Sequence, residues 1–219
     1  QRHQGKAAPP NQSLGRIVPE LFLAAEMAKQ TATDPLPRDG WLPDLQLMTA
    51  RDQAGTTDGL YVTAKGGHND ESHNHNDVGS FIAYLDGSPL IIDVGPEYYT
   101  AKTFSAQRYE IWTMRSTWHN VPLINGHEQA PGRAFAAGDV LYQADATSAS
   151  LALDLAAAYP ADAGIKSWQR NITLHRGEAL SITDNYALSA ATNPNEYHYV
   201  TNRSVYISKP GRVRLGKSP

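Results

Sequence analysis

Residues 66–77 read Gly-Gly-His-Asn-Asp-Glu-Ser-His-Asn-His-Asn-Asp, placing three imidazoles and three carboxylates in twelve positions. So polar a stretch has little to bury and must form a solvated loop or line a polar site. His73 and His75 are two apart, and on an extended backbone alternate side chains share a face. The run Leu90-Ile91-Ile92-Asp93-Val94-Gly95 carries a carboxylate at its end, and Ser116-Thr117-Trp118-His119-Asn120 adds a further imidazole. Two histidines and one aspartate from three separate segments suit a zinc ion with an open fourth position. Imidazole and carboxylate also serve iron and copper, so this ligand set favours zinc only weakly. The competing reading is a hydrogen-bonded polar loop without an ion. His73 and His75 need not do the same job, because one can hold an ion while the other faces a cleft. Asp77 either orients an imidazole or closes the turn at Gly79, with the structural role preferred.

A second group lies in 95–138, a long aromatic and polar segment without clean alternation. Tyr98, Tyr99, Arg108, Tyr109 and Trp112 combine ring faces that stack on sugars with a guanidinium that pairs with carboxylate or sulfate. For any one aromatic, covering a sheet edge is the commoner role. Asn125-Gly126-His127 has turn chemistry, and His127 is given no function. Asn171-Ile172-Thr173 and Asn202-Arg203-Ser204 match the glycosylation triplet, which is frequent by chance.

The elements that must position these residues read as mainly β. Strands are expected over 46–51, 58–64, 79–85, 89–94, 139–144, 149–157, 167–175, 178–188 and 196–207. Asp86-Gly87 and Arg176-Gly177-Glu178 mark hairpins. Many strands joined by tight turns imply antiparallel sheets packed face to face. Ahead of them, 1–13 reads as a polar linker and 18–32 as a helix, with Pro19 in its first turn and Asp34-Pro35 as its stop. The expected division is a linker and helical remnant over 1–44 and an antiparallel β-sandwich over 45–219.

The 219 residues carry a net charge of −3 and no dense basic block, which argues against nucleic acid as a partner. No run approaches the roughly 18 apolar residues of a membrane span. With no cysteine there is no disulfide. Both ends read as cuts within a longer protein, since the first residues show neither an initiator Met nor a signal segment and the last resemble a strand stopped short.

The blocks Asp58–Tyr61, Lys65–Asn69, Ser72–Phe81, Leu90–Gly95, Arg108-Tyr109, His119-Asn120 and Asn125-Gly126 resemble, in order, the C-terminal region of heparinase II/III-like polysaccharide lyases. The resemblance implies that His75, Asp93 and His119 hold a structural zinc and that His73 faces the cleft toward a substrate uronate. Tyr109 is expected to share the catalytic wall with His73, and Tyr98, Tyr99 and Arg108 to contact substrate. It further implies an N-terminal α/α toroid as partner domain, supplying further catalytic groups, and the helix as its last piece. The expected activity of the whole protein is β-elimination on a uronic-acid polysaccharide, in the periplasm or outside the cell, with the fragment inactive alone. Two alternatives are a cupin-type metal enzyme, which also presents His-x-His from a β-barrel, and a non-catalytic carbohydrate-binding sandwich.

Overall fold

The computed structural model describes residues 14–31 and 36–216. They fall into two units, divided between Pro35 and Leu36. The linker expected at 1–13 and the helix stop at Asp34-Pro35 lie outside the described residues.

The first unit holds helix α1, Leu14–Met27. It begins before the expected residue 18, so Pro19 sits inside the helix and not in its first turn. It also ends short of residue 32. The amides of Lys29 and Gln30 reach back only three residues, to Glu26 and Met27, tightening the chain out of α geometry. Leu21, Phe22 and Met27 are exposed.

The second unit is built on two antiparallel sheets. Strands β1 (Asp39–Leu42), β2 (Leu47–Arg51), β3 (Leu60–Lys65), β5 (Phe81–Leu85) and β6 (Ser88–Ile91) form one, in the order β1-β2-β3-β5-β6. Strands β9 (Gly138–Ala144), β10 (Ser148–Asp154), β11 (Ile165–His175) and β12 (Ala179–Leu188) form the other, in the order β12-β11-β10-β9. Short pairs complete it: β4 (His68–Asn69) with β8 (Gly132–Ala136), β7 (Pro122–Leu123) with β13 (Glu196–Tyr197), and β14 (Val205–Lys209) with β15 (Arg212–Leu215).

Alternation decides which side chains meet between the sheets. Met48, Ala50, Val62, Ala64 and Phe81 from the first sheet join one buried cluster with Ala149, Leu151, Leu153, Trp168, Ile172 and Leu174 from the second. Each large member stabilises the fold by about 1.5–3 kcal/mol. Trp168 also stacks at 4.3 Å on Tyr186, its cross-strand partner in β12. The Asp86-Gly87 hairpin forms as expected, with φ of 49° and 71° at its two residues, the left-handed pair that a two-residue turn of this twist demands.

Three expectations change. β1 lies ahead of residue 45, because Trp41 stacks on Tyr142 of the second sheet at 5.0 Å and brings this strand into the sandwich. The expected strand 89–94 ends at Ile91, where Asp93 Oδ1 accepts the Gly95 amide at 2.8 Å and bends the chain. The expected strand 196–207 is broken into β13 and β14. Its middle clamps other loops instead of continuing a ladder: Val200 N–H donates to Asn120 Oδ1 at 2.7 Å, and Thr201 Oγ1 donates to the Leu90 carbonyl at 2.6 Å.

Candidate metal centre

The loop between β4 and β5 carries His73 and His75, and its path is fixed mostly by distant residues. Gln129 is buried: its Oε1 accepts from Val78 N at 3.0 Å and Asn69 Nδ2 at 3.2 Å, while its Nε2 donates to the Val78 carbonyl at 2.7 Å. Asn76 N–H donates to the Met114 carbonyl at 3.0 Å, joining this loop to the segment that bears His119. Gly79 takes φ +82°, and a Cβ there would meet Leu155 Cδ2 at 2.6 Å, so the turn closes against the core only with glycine. The Asp77 carboxylate pairs with Lys65 at 2.8 Å, and the turn at Gly79 is closed by the Asp77 backbone carbonyl, which accepts from Ser80 N at 3.0 Å.

Asn120 holds the other two segments together. Its Nδ2 donates to the Phe81 carbonyl at 2.7 Å and the Ile92 carbonyl at 2.9 Å, fixing His119 and Asp93, each one residue away, relative to each other. From the opposite sheet, Arg170 is buried and pairs with Asp184 through two bonds of 2.8 and 2.9 Å. Its remaining terminal nitrogen donates to the carbonyls of Gly79 and Asn120, each at 3.1 Å.

These supports bring one ligand atom each of His75, Asp93 and His119 within 4.8 Å of one another. His119 is fully buried, and its two ring nitrogens face different partners. Nε2 lies 3.0 Å from the Thr113 carbonyl, which can only accept, so Nε2 carries the hydrogen. Nδ1 lies 2.6 Å from Asp93 Oδ2, which also accepts. Two acceptors that close require a proton or a metal ion beside them. Burial acts to lower the His119 pKa, but the hydrogen bond to Asp93 and the charges of Asp77 and Asp93 outweigh it, leaving it raised. Asp93 is the converse: burial acts to raise it, and the bonds from His119 and Gly95 hold it below the usual range. At His75, burial and the neighbouring His119 both lower the pKa, which keeps its ring neutral with a lone pair to give. An anionic carboxylate, a neutral imidazole and an imidazole whose far N–H is anchored on a carbonyl form a donor set that fits a divalent cation.

Beside this clasp, His73 is exposed and holds φ +60°, an uncommon value for a residue with a side chain. Its ring stacks on Tyr99 at 5.5 Å and meets the edge of Phe104 at 6.1 Å. Arg108 donates from one terminal nitrogen to the Thr103 carbonyl at 2.7 Å and from the other to the Asn74 carbonyl at 2.6 Å, pinning the His loop to the aromatic segment. Tyr109 Oη lies 3.3 Å from Asn74 Oδ1. Tyr98 is 98% exposed and projects into solvent. Residues 73, 74, 99, 104, 108 and 109 therefore form one surface next to the clasp. Sequence reasoning did not identify Gln129, the Thr113 carbonyl or Arg170. A lone Gln and a backbone carbonyl carry no local signal, and Arg170 was hidden within an ordinary strand.

An antiparallel sandwich with a His-Asp-His clasp at the mouth of its loops defines the class. The family model described as heparinase II/III-like, C-terminal, matches residues 35–211, and the chain belongs to that family. The cupin-type alternative falls with that assignment. Among solved structures, the heparan sulfate lyase HepC from Pedobacter heparinus is similar at TM-score 0.58 and 16% identity, over 80% of this chain and 26% of that one. The heparinase III BT4657 gene product is similar at TM-score 0.64 and 16% identity, over 89% of this chain and 29% of the other. A further heparinase III structure gives 0.56 and 16%, over 82% and 27%. The chain thus spans between a quarter and a third of the length of these structures. No curated protein matches it.

Proposed function

We propose that this chain is the β-sandwich part of a polysaccharide lyase acting on a uronic-acid-containing polysaccharide, outside the cell or in the periplasm. The observation that carries the reading is the His73 imidazole, held in a left-handed backbone against Tyr99 directly beside the His75–Asp93–His119 clasp. Family membership and the likeness to lyase structures support it.

In β-elimination a base removes the proton α to the uronate carboxylate. The electron pair left on that carbon forms a double bond to the neighbouring carbon, and the glycosidic C–O bond there breaks. The leaving oxygen takes a proton. The ionised carboxylate opposes loss of the α proton unless donors hold it and strengthen as charge moves onto it. His73 is the donor this chain offers to that carboxylate. Tyr109, with its hydroxyl beside Asn74, is the group on the same surface able to hold or pass a proton. Tyr98 and Tyr99 offer ring faces to the sugar, and Arg108 keeps the loop in register. His75, Asp93 and His119 would hold a zinc ion, whose positive charge would tie the three segments together. The remaining base and donors belong to an α/α toroid elsewhere in the full-length protein, so this chain alone is inactive.

The test is a continuous assay for the absorbance of unsaturated ends, using the full-length protein with heparan sulfate, hyaluronan and alginate. Turnover on at least one of them, lost in His73→Ala, is the expected result. Robust turnover by the 219-residue chain would overturn the divided site. Undiminished glycan affinity in an inactive full-length protein would favour a binding module instead.

A further inference from the structure

A groove of about 700 Å³ lies beyond the surface around His73, lined by Trp112, Trp118, Tyr197, His198, Tyr199 and Val94. We propose that it is a saccharide subsite for an uncharged pyranose unit, a hexose or N-acetylhexosamine. That its occupant is a sugar rests on the lyase reading above. That it is uncharged rests on the groove itself.

Trp112 and Trp118 meet edge to face at 5.1 Å and 85°, yet each keeps over two-fifths of its surface exposed. Two indoles set at right angles make a corner with two apolar walls, matching the C–H face and edge of a pyranose ring. The volume is in the ordinary range for small-molecule sites, roughly 300–1,000 Å³. No lysine or arginine is among the lining side chains. Two carboxylates touch the lining side chains: Glu97 accepts the Trp112 indole N–H, and Glu196 lies 3.4 Å from His198 Nε2, while the nearby Arg115 is paired with Glu128 and Arg170 with Asp184. Carboxylates accept sugar hydroxyls and repel uronate or sulfate. The groove also shares its framework with the clasp, because Val94 follows Asp93 and Trp118 precedes His119.

The chain has four tryptophans, and Trp168 is buried while Trp41 is stacked on Tyr142. Indole N–H signals in a ¹⁵N-labelled sample therefore report on the groove with two internal controls. Titration with chitotetraose is expected to move the Trp112 and Trp118 signals saturably and leave Trp41 and Trp168 in place. Tetragalacturonate is expected to move none of them. Trp118→Ala should weaken chitotetraose binding about tenfold, the worth of one good aromatic contact. His73→Ala should change it by less than about twofold, since residues that share no partner act independently. Unmoved Trp112 and Trp118 signals, or equal shifts with tetragalacturonate, would overturn the proposal. The wild-type titration alone decides the matter if Trp118→Ala does not fold. Absence of lyase activity from the wild-type full-length protein, with the chitotetraose shifts present, would count against the lyase reading and leave the groove standing.

Discussion

Arg170 in one sheet donates to the carbonyl of Asn120 at 3.1 Å, and Asn120 is the neighbour of His119. The candidate metal site is thereby supported from the far side of the core by a buried cation whose charge is balanced by Asp184. Removing half of such a pair leaves the other charge unmatched in a poorly solvated place.

Arg170→Ala is expected to lower unfolding free energy by about 3–5 kcal/mol, read as a shift of the urea midpoint without a change of slope. A double variant, Arg170→Met with Asp184→Leu, should recover part of the loss because no lone charge remains. An Arg170→Ala midpoint equal to wild type would show that the pair does not bear on stability.

Chelation should act on the same region. The purified protein is expected to hold one zinc per chain, and its removal by EDTA to lower the melting temperature reversibly, since an ion bound only by the native state stabilises it. Asp93→Asn keeps a side chain that accepts from Gly95 but loses the negative charge, and should weaken zinc binding by at least about tenfold. An unchanged melting curve after verified metal loss would exclude a structural ion at these residues.

His73 holds its left-handed backbone at a cost that glycine would not bear. His73→Gly is expected to leave the melting temperature unchanged or raise stability by up to about 1 kcal/mol, while abolishing turnover in the full-length protein. A marked fall in stability would mean that the stack on Tyr99 outweighs the backbone strain.

Asp145, at the β9–β10 turn, accepts through Oδ1 from Thr147 N at 2.7 Å, Thr147 Oγ1 at 2.9 Å and Ser148 N at 2.8 Å. These bonds, the Thr147 amide first, hold its pKa down to about 2, below the unfolded value of about 3.9. A depressed carboxylate stabilises the fold above the unfolded pKa, and that contribution fades as pH falls toward the folded one. Wild type should therefore melt above Asp145→Asn at pH 7, with the gap closing between about pH 4 and pH 2. A gap independent of pH would assign the difference to geometry instead of charge.

Alternation in β10 and β11 and the Asp86-Gly87 turn were legible from the sequence because period and turn chemistry act over a few residues. His73, His75, Asp93 and His119 were legible as candidate ligands because they are polar groups in polar stretches or at a strand end, while the choice of His75 over His73 came from the family resemblance. The left-handed backbone of His73 and the break in the strand expected at 196–207 were not. Nor was the engagement of Arg108 with the Thr103 and Asn74 carbonyls. Each depends on partners brought close by topology: Asn120 reaches Val200 across 80 positions, and Arg170 reaches Gly79 across 91. Sequence by itself determined a sandwich and the chemistry its loops would offer. Only the tertiary structure decided which side chains converge, because a buried donor takes whichever acceptor the packed core leaves within reach.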